Sequence, residues 1–128
     1  PQPPRPGAAD IPLQIIPLTP AFAVSPQLAT TDFASLAQQG FKTIINNRPD
    51  GEGGGAQPTS PEMERAATVA GLHYVYLPVV SGSITPEQVL AMHKILITAP
   101  KAALAFCRSG ARSAQLFGLA QNLDAEAS

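Results

Sequence analysis

Short runs of β-branched and small apolar residues alternate along this chain with helix starts marked by a capping side chain and a proline, and that alternation narrows the fold to one class. Leu13-Gln14-Ile15-Ile16 and Ala21-Phe22-Ala23-Val24-Ser25 read as short strands bounded by prolines, which favour sheet edges. Thr30 or Thr31 caps a helix through about Gln39, with Phe33, Leu36 and Ala37 at helical spacing and Gly40 as the stop. Phe41-Lys42-Thr43-Ile44-Ile45-Asn46 is a strand that runs into Asn47-Arg48-Pro49-Asp50 and a Gly-rich loop at 51–55. Ser60 before Pro61 combines a cap with a first-turn proline and opens a helix to about Gly71. Residues 72–77 form the next strand, Thr85-Pro86 repeats the cap and proline for a helix to about Ile97, and residues 102–106 form the last strand. A final helix starts at Ala111 or Arg112 and runs to about Asn122.

Such alternation predicts an α/β domain whose central sheet is rich in parallel strands and flanked by helices. Ligands of these sheets bind beyond the carboxyl ends of the strands. Cys107 stands directly after a strand and just before a helix, so its position alone makes it a site candidate.

Composition bounds what else the chain can do. The 128 residues suit one core, and 45% hydrophobic against 13% charged residues marks a globular domain. Residues 1–12, proline-rich at their start, read as an extended polyproline-type linker, leaving 13–128 as a single domain. The chain opens on Pro1 rather than methionine, so a leader, a tag or another domain is expected upstream. No apolar run reaches the roughly 20 residues of a membrane span. The start lacks the pattern of a secretory signal, which leaves the compartment open with the cytoplasm favoured. A net charge of −1 with scattered Lys and Arg gives no nucleic-acid footprint. One cysteine excludes an internal disulfide and a Cys-rich metal centre. His73 and His93 have no carboxylate at ligand spacing, so neither a metal nor a cofactor is expected, and both histidines read as structural or surface residues.

The segment Phe106-Cys107-Arg108-Ser109-Gly110-Ala111-Arg112-Ser113 concentrates the chemistry. Arg108 and Arg112 surround the thiol with positive charge, Gly110 lets successive N–H groups turn inward, and the following helix presents its positive end. All three favour thiolate over thiol, and such surroundings bring cysteines down to roughly 3.5–7.5. The same amides suit an incoming anion or a terminal sulfur, and Ser113 is placed to donate to the thiolate. Cys107 is therefore the expected nucleophile.

This loop resembles those of rhodanese sulfurtransferases and of protein tyrosine or dual-specificity phosphatases. Over about residues 13–122, through the runs 41–52, Leu77-Pro78-Val79-Val80-Ser81-Gly82 and 106–113, the chain is similar to the DUF442 family, the phosphatase-like domain of beta-lactamase-hydrolase-like proteins, whose members are often labelled sulfur transferases. The resemblance implies a protein-tyrosine/dual-specificity-phosphatase-like fold and frequent fusion to persulfide dioxygenase or sulfide:quinone oxidoreductase modules. Members usually continue past the final helix, whereas this chain stops at Ser128; a missing helix would leave an apolar surface for a partner.

Three departures bear on the choice of chemistry. Phosphatase loops space Cys and Arg by five residues; here four, Arg108 to Ala111, separate Cys107 from Arg112, as in a rhodanese loop. Phe106 stands where phosphatases commonly carry His, and the stretch 78–83, where a dual-specificity enzyme places its acid, contains none. The expected function is thus a rhodanese-like sulfurtransferase that moves sulfane sulfur from thiosulfate or a glutathione-type persulfide, through a Cys107 persulfide, to a thiol acceptor. In this reading Arg112 binds the anionic part of the donor, Arg108 raises the local potential, and the amides of Arg108, Ser109, Gly110, Ala111 and Arg112 hold the sulfur. The alternatives are a phosphatase working through a Cys107 phosphoenzyme and an accessory sulfur-carrying or anion-binding module of a fused oxidoreductase. Arg48 is a candidate anion contact, with Asp50 and Glu52 as candidate acids, against a reading of Arg48 and Asp50 as a locally bonded turn about Pro49. Asn46 and Asn47 read as turn formers, and Ser81-Gly82 as a helix-entry turn beneath the site.

Overall fold

Among the described residues, five four-residue strands form one sheet with four α-helices on its two faces: β1 (Ile16–Thr19), β2 (Phe22–Ser25), α1 (Phe33–Gln38), β3 (Thr43–Asn46), α2 (Ser60–Val69), β4 (His73–Tyr76), α3 (Pro86–Thr98), β5 (Ala103–Phe106) and α4 (Ala111–Ala127). This computed structural model describes the backbone of residues 14–127 and side chains as far as Leu123. The expected linker at 1–12 lies outside the described residues, as does the start of the first expected strand at Leu13.

The sheet runs β1-β2-β5-β3-β4, with β1 antiparallel to β2 and every other pair parallel. The α/β class and the parallel-rich sheet expected from the sequence are both present. The proline-flanked strands divide: β1 is an edge, while β2 lies inside, hydrogen-bonded to β1 and β5.

Side chains of the inner strands alternate between two cores, as the two-residue period requires. Phe22, Val24, Ile45, Ala103 and Ala105 face Met92 of α3 and Leu116, Phe117 and Ala120 of α4, with the Phe22 and Phe117 rings stacked at a centroid distance of 4.2 Å. Ala23, Ile44, Leu104 and Phe106 face Phe33 and Leu36 of α1 and Met63 and Ala67 of α2. Strands β2, β3 and β5 are buried on both faces, which is why they read as near-continuous apolar runs.

Helix starts follow their caps, with small shifts. The cap of α2 is Thr59, one residue earlier than expected; its side chain accepts from Glu62 N at 3.4 Å, and Ser60 and Pro61 fall within the first turn. Thr85 caps α3 as expected. The helix expected from Thr30 or Thr31 begins as a 3-10 turn, Thr30–Asp32, where the Asp32 carboxylate accepts from Ala29 N at 2.7 Å. Helix α4 continues to Ala127, beyond the expected end near Asn122.

The order of the strands sets up the site. Because β5 is central, the segments leaving β2 and β3 lie on either side of the loop that leaves β5, all at the carboxyl edge of the parallel strands.

Candidate active site

Cys107 follows β5 and is fully buried. Its loop turns back at Gly110, where φ is +94° and an added Cβ would lie 3.3 Å from the carbonyl carbon and oxygen of Ser25 at the end of β2. Glycine is needed there for both reasons. The turn aims Gly110 N–H at Cys107 Sγ, 3.1 Å away. Burial pushes the thiol up, but hydrogen bonds from the Ser113 N–H and hydroxyl and from the Gly110 and Ser109 amides outweigh it and hold Cys107 below the ordinary thiol value. The donors on the sulfur are thus Ser109, Gly110 and Ser113.

Ser113 has a second claim on its proton. Its Oγ lies 2.8 Å from Asn47 Oδ1, and one hydroxyl hydrogen serves either that oxygen or the sulfur at a given moment. Asn47 is itself fixed, donating from Nδ2 to Leu77 O at 2.9 Å and from N to Phe106 O at 2.9 Å. The residue expected as a turn former is a buried bracket between β3, β5 and the segment after β4.

Arg112 lies in the first turn of α4 with its side chain 9% exposed. Its Nη1 donates to Val79 O at 2.7 Å and to Glu52 Oε2 at 3.0 Å, and its Nη2 donates to Glu52 Oε1 at 3.0 Å. Nε is buried without a partner among the described residues. Glu52 Oε1 also accepts from Arg48 Nε at 3.0 Å, and Arg48 Nη1 donates to Gln27 Oε1 at 3.0 Å. The hydrogen bonds from Arg112 are the largest influence on the Glu52 carboxyl; burial opposes them, but the Arg48 hydrogen bond and the charges of both guanidiniums add to them and hold the group below the usual carboxylate range. Glu52 is therefore an anion at neutral pH, suited to orient arginines and unsuited to donate a proton.

Arg48, Glu52, Gly53, Ser81, Arg108, Ser109, Ala111, Arg112 and Gln115 line one open cleft of about 940 Å³. Ser109 Oγ accepts from Ala111 N at 3.3 Å, and Arg108 is exposed at the mouth. Ser81 sits on the wall, and Gly82 has a φ of +79° in the turn behind it.

Asp50 is placed elsewhere. Its carboxylate accepts from Ser60 N at 2.7 Å at the start of α2, and its amide donates to Tyr76 OH at 2.8 Å. It pins the turn and is not among the cleft-lining residues, which matches the local-turn reading for Asp50 and leaves the cleft reading for Arg48. Asn46 belongs to the same scaffold, with Oδ1 accepting from Arg48 N and Nδ2 donating to Tyr74 OH, both at 2.9 Å. Burial raises the Tyr74 phenol above its ordinary value, and Ser60 Oγ shares a 2.7 Å hydrogen bond with it. Gln27, Gln57, Tyr74 and Tyr76 carried no signal in the sequence, since glutamines and tyrosines outside a motif look like surface. Phe106, where a phosphatase would carry His, points into the core beside α1 and α2. Among the described residues no group of three or more His, Cys, Asp or Glu could hold a metal ion, and no helix is long and apolar enough to cross a membrane.

Several known proteins resemble this chain in sequence and in fold. A beta-lactamase hydrolase-like protein of Xylella fastidiosa (strain Temecula1) is 35% identical over 112 residues, covering 88% of this chain and 26% of the relative. One from Agrobacterium fabrum (strain C58) is 39% identical over 101 residues, covering 79% of this chain and 23% of the relative. The chain thus spans about a quarter of the length of these relatives. A crystal structure from Neisseria meningitidis, described as a "putative phosphatase", superposes with a TM-score of 0.75 at 34% identity, covering 81% of this chain and 73% of that one. A DUF442 structure from Shewanella putrefaciens, described in the same words, gives 0.73 at 25% identity over 88% of this chain and 69% of that one. The family described as "Beta-lactamase hydrolase-like protein, phosphatase-like domain" matches residues 14–124, and the chain belongs to it.

Proposed function

We propose that the domain is a cysteine-dependent phosphatase-type enzyme in which Cys107 attacks an anionic substrate held by the loop amides and Arg112. The observation that carries this is the thiol held below its ordinary value, five residues before an arginine whose buried Nε has no partner among the described residues. The named phosphatase-like relatives support the same class. In the first step the thiolate forms an S–P bond and the P–O bond to the leaving group breaks. Water then cleaves the S–P bond, releasing phosphate and returning the thiolate. Glu52, the carboxylate among the described residues that line the cleft, is held ionised by its arginines and does not supply a proton to the leaving group. Suitable substrates are therefore those whose leaving group departs as a stable anion, such as aryl phosphates or phosphoanhydrides.

A second reading, sulfur transfer, is favoured by the four-residue gap between Cys107 and Arg112. There the thiolate takes the outer sulfur of thiosulfate or a glutathione-type persulfide, sulfite or a thiolate leaves, and an acceptor thiol removes the sulfur. A persulfide dioxygenase or sulfide:quinone oxidoreductase module, fused or associated, would be the natural source or recipient. Intact-mass measurement after separate incubation with an aryl phosphate and with thiosulfate decides between them. A phosphoryl adduct or steady phosphate release, abolished by Cys107→Ser, supports the first reading. One added sulfur with no phosphate release replaces it with the second.

A further inference from the structure

Five hydrogen bonds form a closed ring that starts and ends on the Cys107 loop. Arg112 Nη1 and Nη2 donate to the two oxygens of Glu52, each at 3.0 Å. Arg48 donates from Nε to Glu52 Oε1 and from Nη1 to Gln27 Oε1, again each at 3.0 Å. The backbone N of Gln27 then donates to Arg108 O at 3.2 Å, back on the loop that carries Arg112. Segments leaving β2, β3 and β5 are thereby tied together around the nucleophile.

The ring determines which part of Arg112 faces a ligand. A guanidinium has five N–H donors in a rigid plane. Glu52 takes the Nη1–Nη2 end, and Val79 O takes a further Nη1 hydrogen at 2.7 Å. What remains is the side edge made by Nε and the second Nη2 hydrogen, and Nε is buried without a partner among the described residues. That edge has the geometry for a two-pronged contact with one anion.

We infer that Glu52, with Arg48 and Gln27 behind it, is a positioning residue that rotates Arg112 so that its Nε–Nη2 edge is presented to the reacting anion. This rests on the proposed anion site at Cys107 but not on whether phosphoryl or sulfur is transferred. The competing account of Glu52 is a charge brake: a carboxylate beside cationic residues that lowers the attraction of the cleft for anions. The two accounts give opposite signs when the charge is removed. Glu52→Gln deletes a negative charge, so on Coulomb's law alone anions bind more tightly. If Glu52 positions Arg112, the amide holds the guanidinium less firmly and anions bind more weakly.

The probe is inorganic phosphate, measured as protection of Cys107 from iodoacetamide in the full chain. Glu52→Gln is expected to raise the phosphate concentration for half-protection by about tenfold, the scale of one lost charged hydrogen bond. Gln27→Ala breaks the ring without changing any charge and is expected to shift protection the same way by a smaller factor. It also provides the test should Glu52→Gln fail to fold. Tighter or unchanged phosphate protection in these variants overturns the inference. Absence of phosphate protection in the wild type would sink the anion site itself and the inference with it.

Discussion

Ser113 Oγ and Asn47 Oδ1 lie 2.8 Å apart, joining the first turns of α4 to the end of β3 at the base of the Cys107 loop. Asn47 Nδ2 donates to Leu77 O, which turns the amide so that its oxygen meets Ser113. The hydroxyl has one proton and two acceptors, the amide oxygen and the sulfur. When Cys107 is a thiol, the stronger acceptor is Asn47; when it ionises, the sulfur becomes the better one. Ser113 can therefore follow the charge of Cys107 without moving its backbone.

Ser113→Ala is expected to raise the Cys107 thiol pKa and slow its alkylation by iodoacetamide severalfold near neutral pH, since one hydrogen bond to the charged sulfur is lost. Asn47→Ala should behave differently. It leaves the Ser113 proton to the sulfur, so reactivity is retained, while Leu77 O loses its donor and stability falls by about 1–3 kcal/mol. Alkylation rates and urea unfolding of the two variants check the contrast; equal reactivity losses would refute it.

Gly110→Ala is expected to destabilise the domain by about 1–3 kcal/mol, because a φ of +94° strains any other residue and the new methyl would press on the Ser25 carbonyl at 3.3 Å. The amide aimed at Cys107 Sγ shifts with it, so the thiol is also expected to titrate higher. Unfolding midpoints and the ultraviolet absorbance of the thiolate measure the two effects separately.

Gly53→Ala tests the opposite kind of glycine. Its φ of −97° suits any residue, yet a Cβ there would lie 2.7 Å from Arg48 Nη2. The obstructing atom is the far end of a side chain, so Arg48 yields rather than the backbone. Stability should change by no more than about 1 kcal/mol, within the range of substitutions outside the core, while phosphate protection of Cys107 weakens as the ring opens. A variant that binds phosphate normally would show that Arg48 contributes nothing to the site.

Much of this was legible in the sequence, for local reasons. Strand periodicity, cap-plus-proline pairs and the Cys107–Ser113 motif are encoded in neighbouring residues, and the sheet and the position of the candidate thiol followed from them. Glu52 was visible only as a candidate acid, because its decisive partner is 60 positions away and the Gly-rich stretch around it has no period. Gln27 carried no signal, since what gives it a role is an arginine 21 positions on, brought near by the parallel crossover from β2 to β3. Asp50 shows what the sequence left open between a site role and a local turn: its carboxylate accepts from the Ser60 amide at a helix start.

The lowered thiol value also makes a statement about stability against pH. Cys107 is an acid whose folded pKa lies below its unfolded one, so its ionisation binds fewer protons in the folded state than in the unfolded state between the two values. It contributes nothing below the folded value, contributes increasingly as pH rises from there, and contributes fully above the unfolded thiol value of about 8.5. Cys107→Ser removes that ionisation while keeping a small polar group in place. The stability of the wild type minus that of Cys107→Ser is therefore expected to rise with pH across the window below about 8.5 and to flatten at its acid end. Urea unfolding of both proteins at a series of pH values measures the difference. A difference that falls with rising pH would mean that burial prevails over the amide and hydroxyl donors, and that Cys107 is a buried thiol rather than a nucleophile at neutral pH.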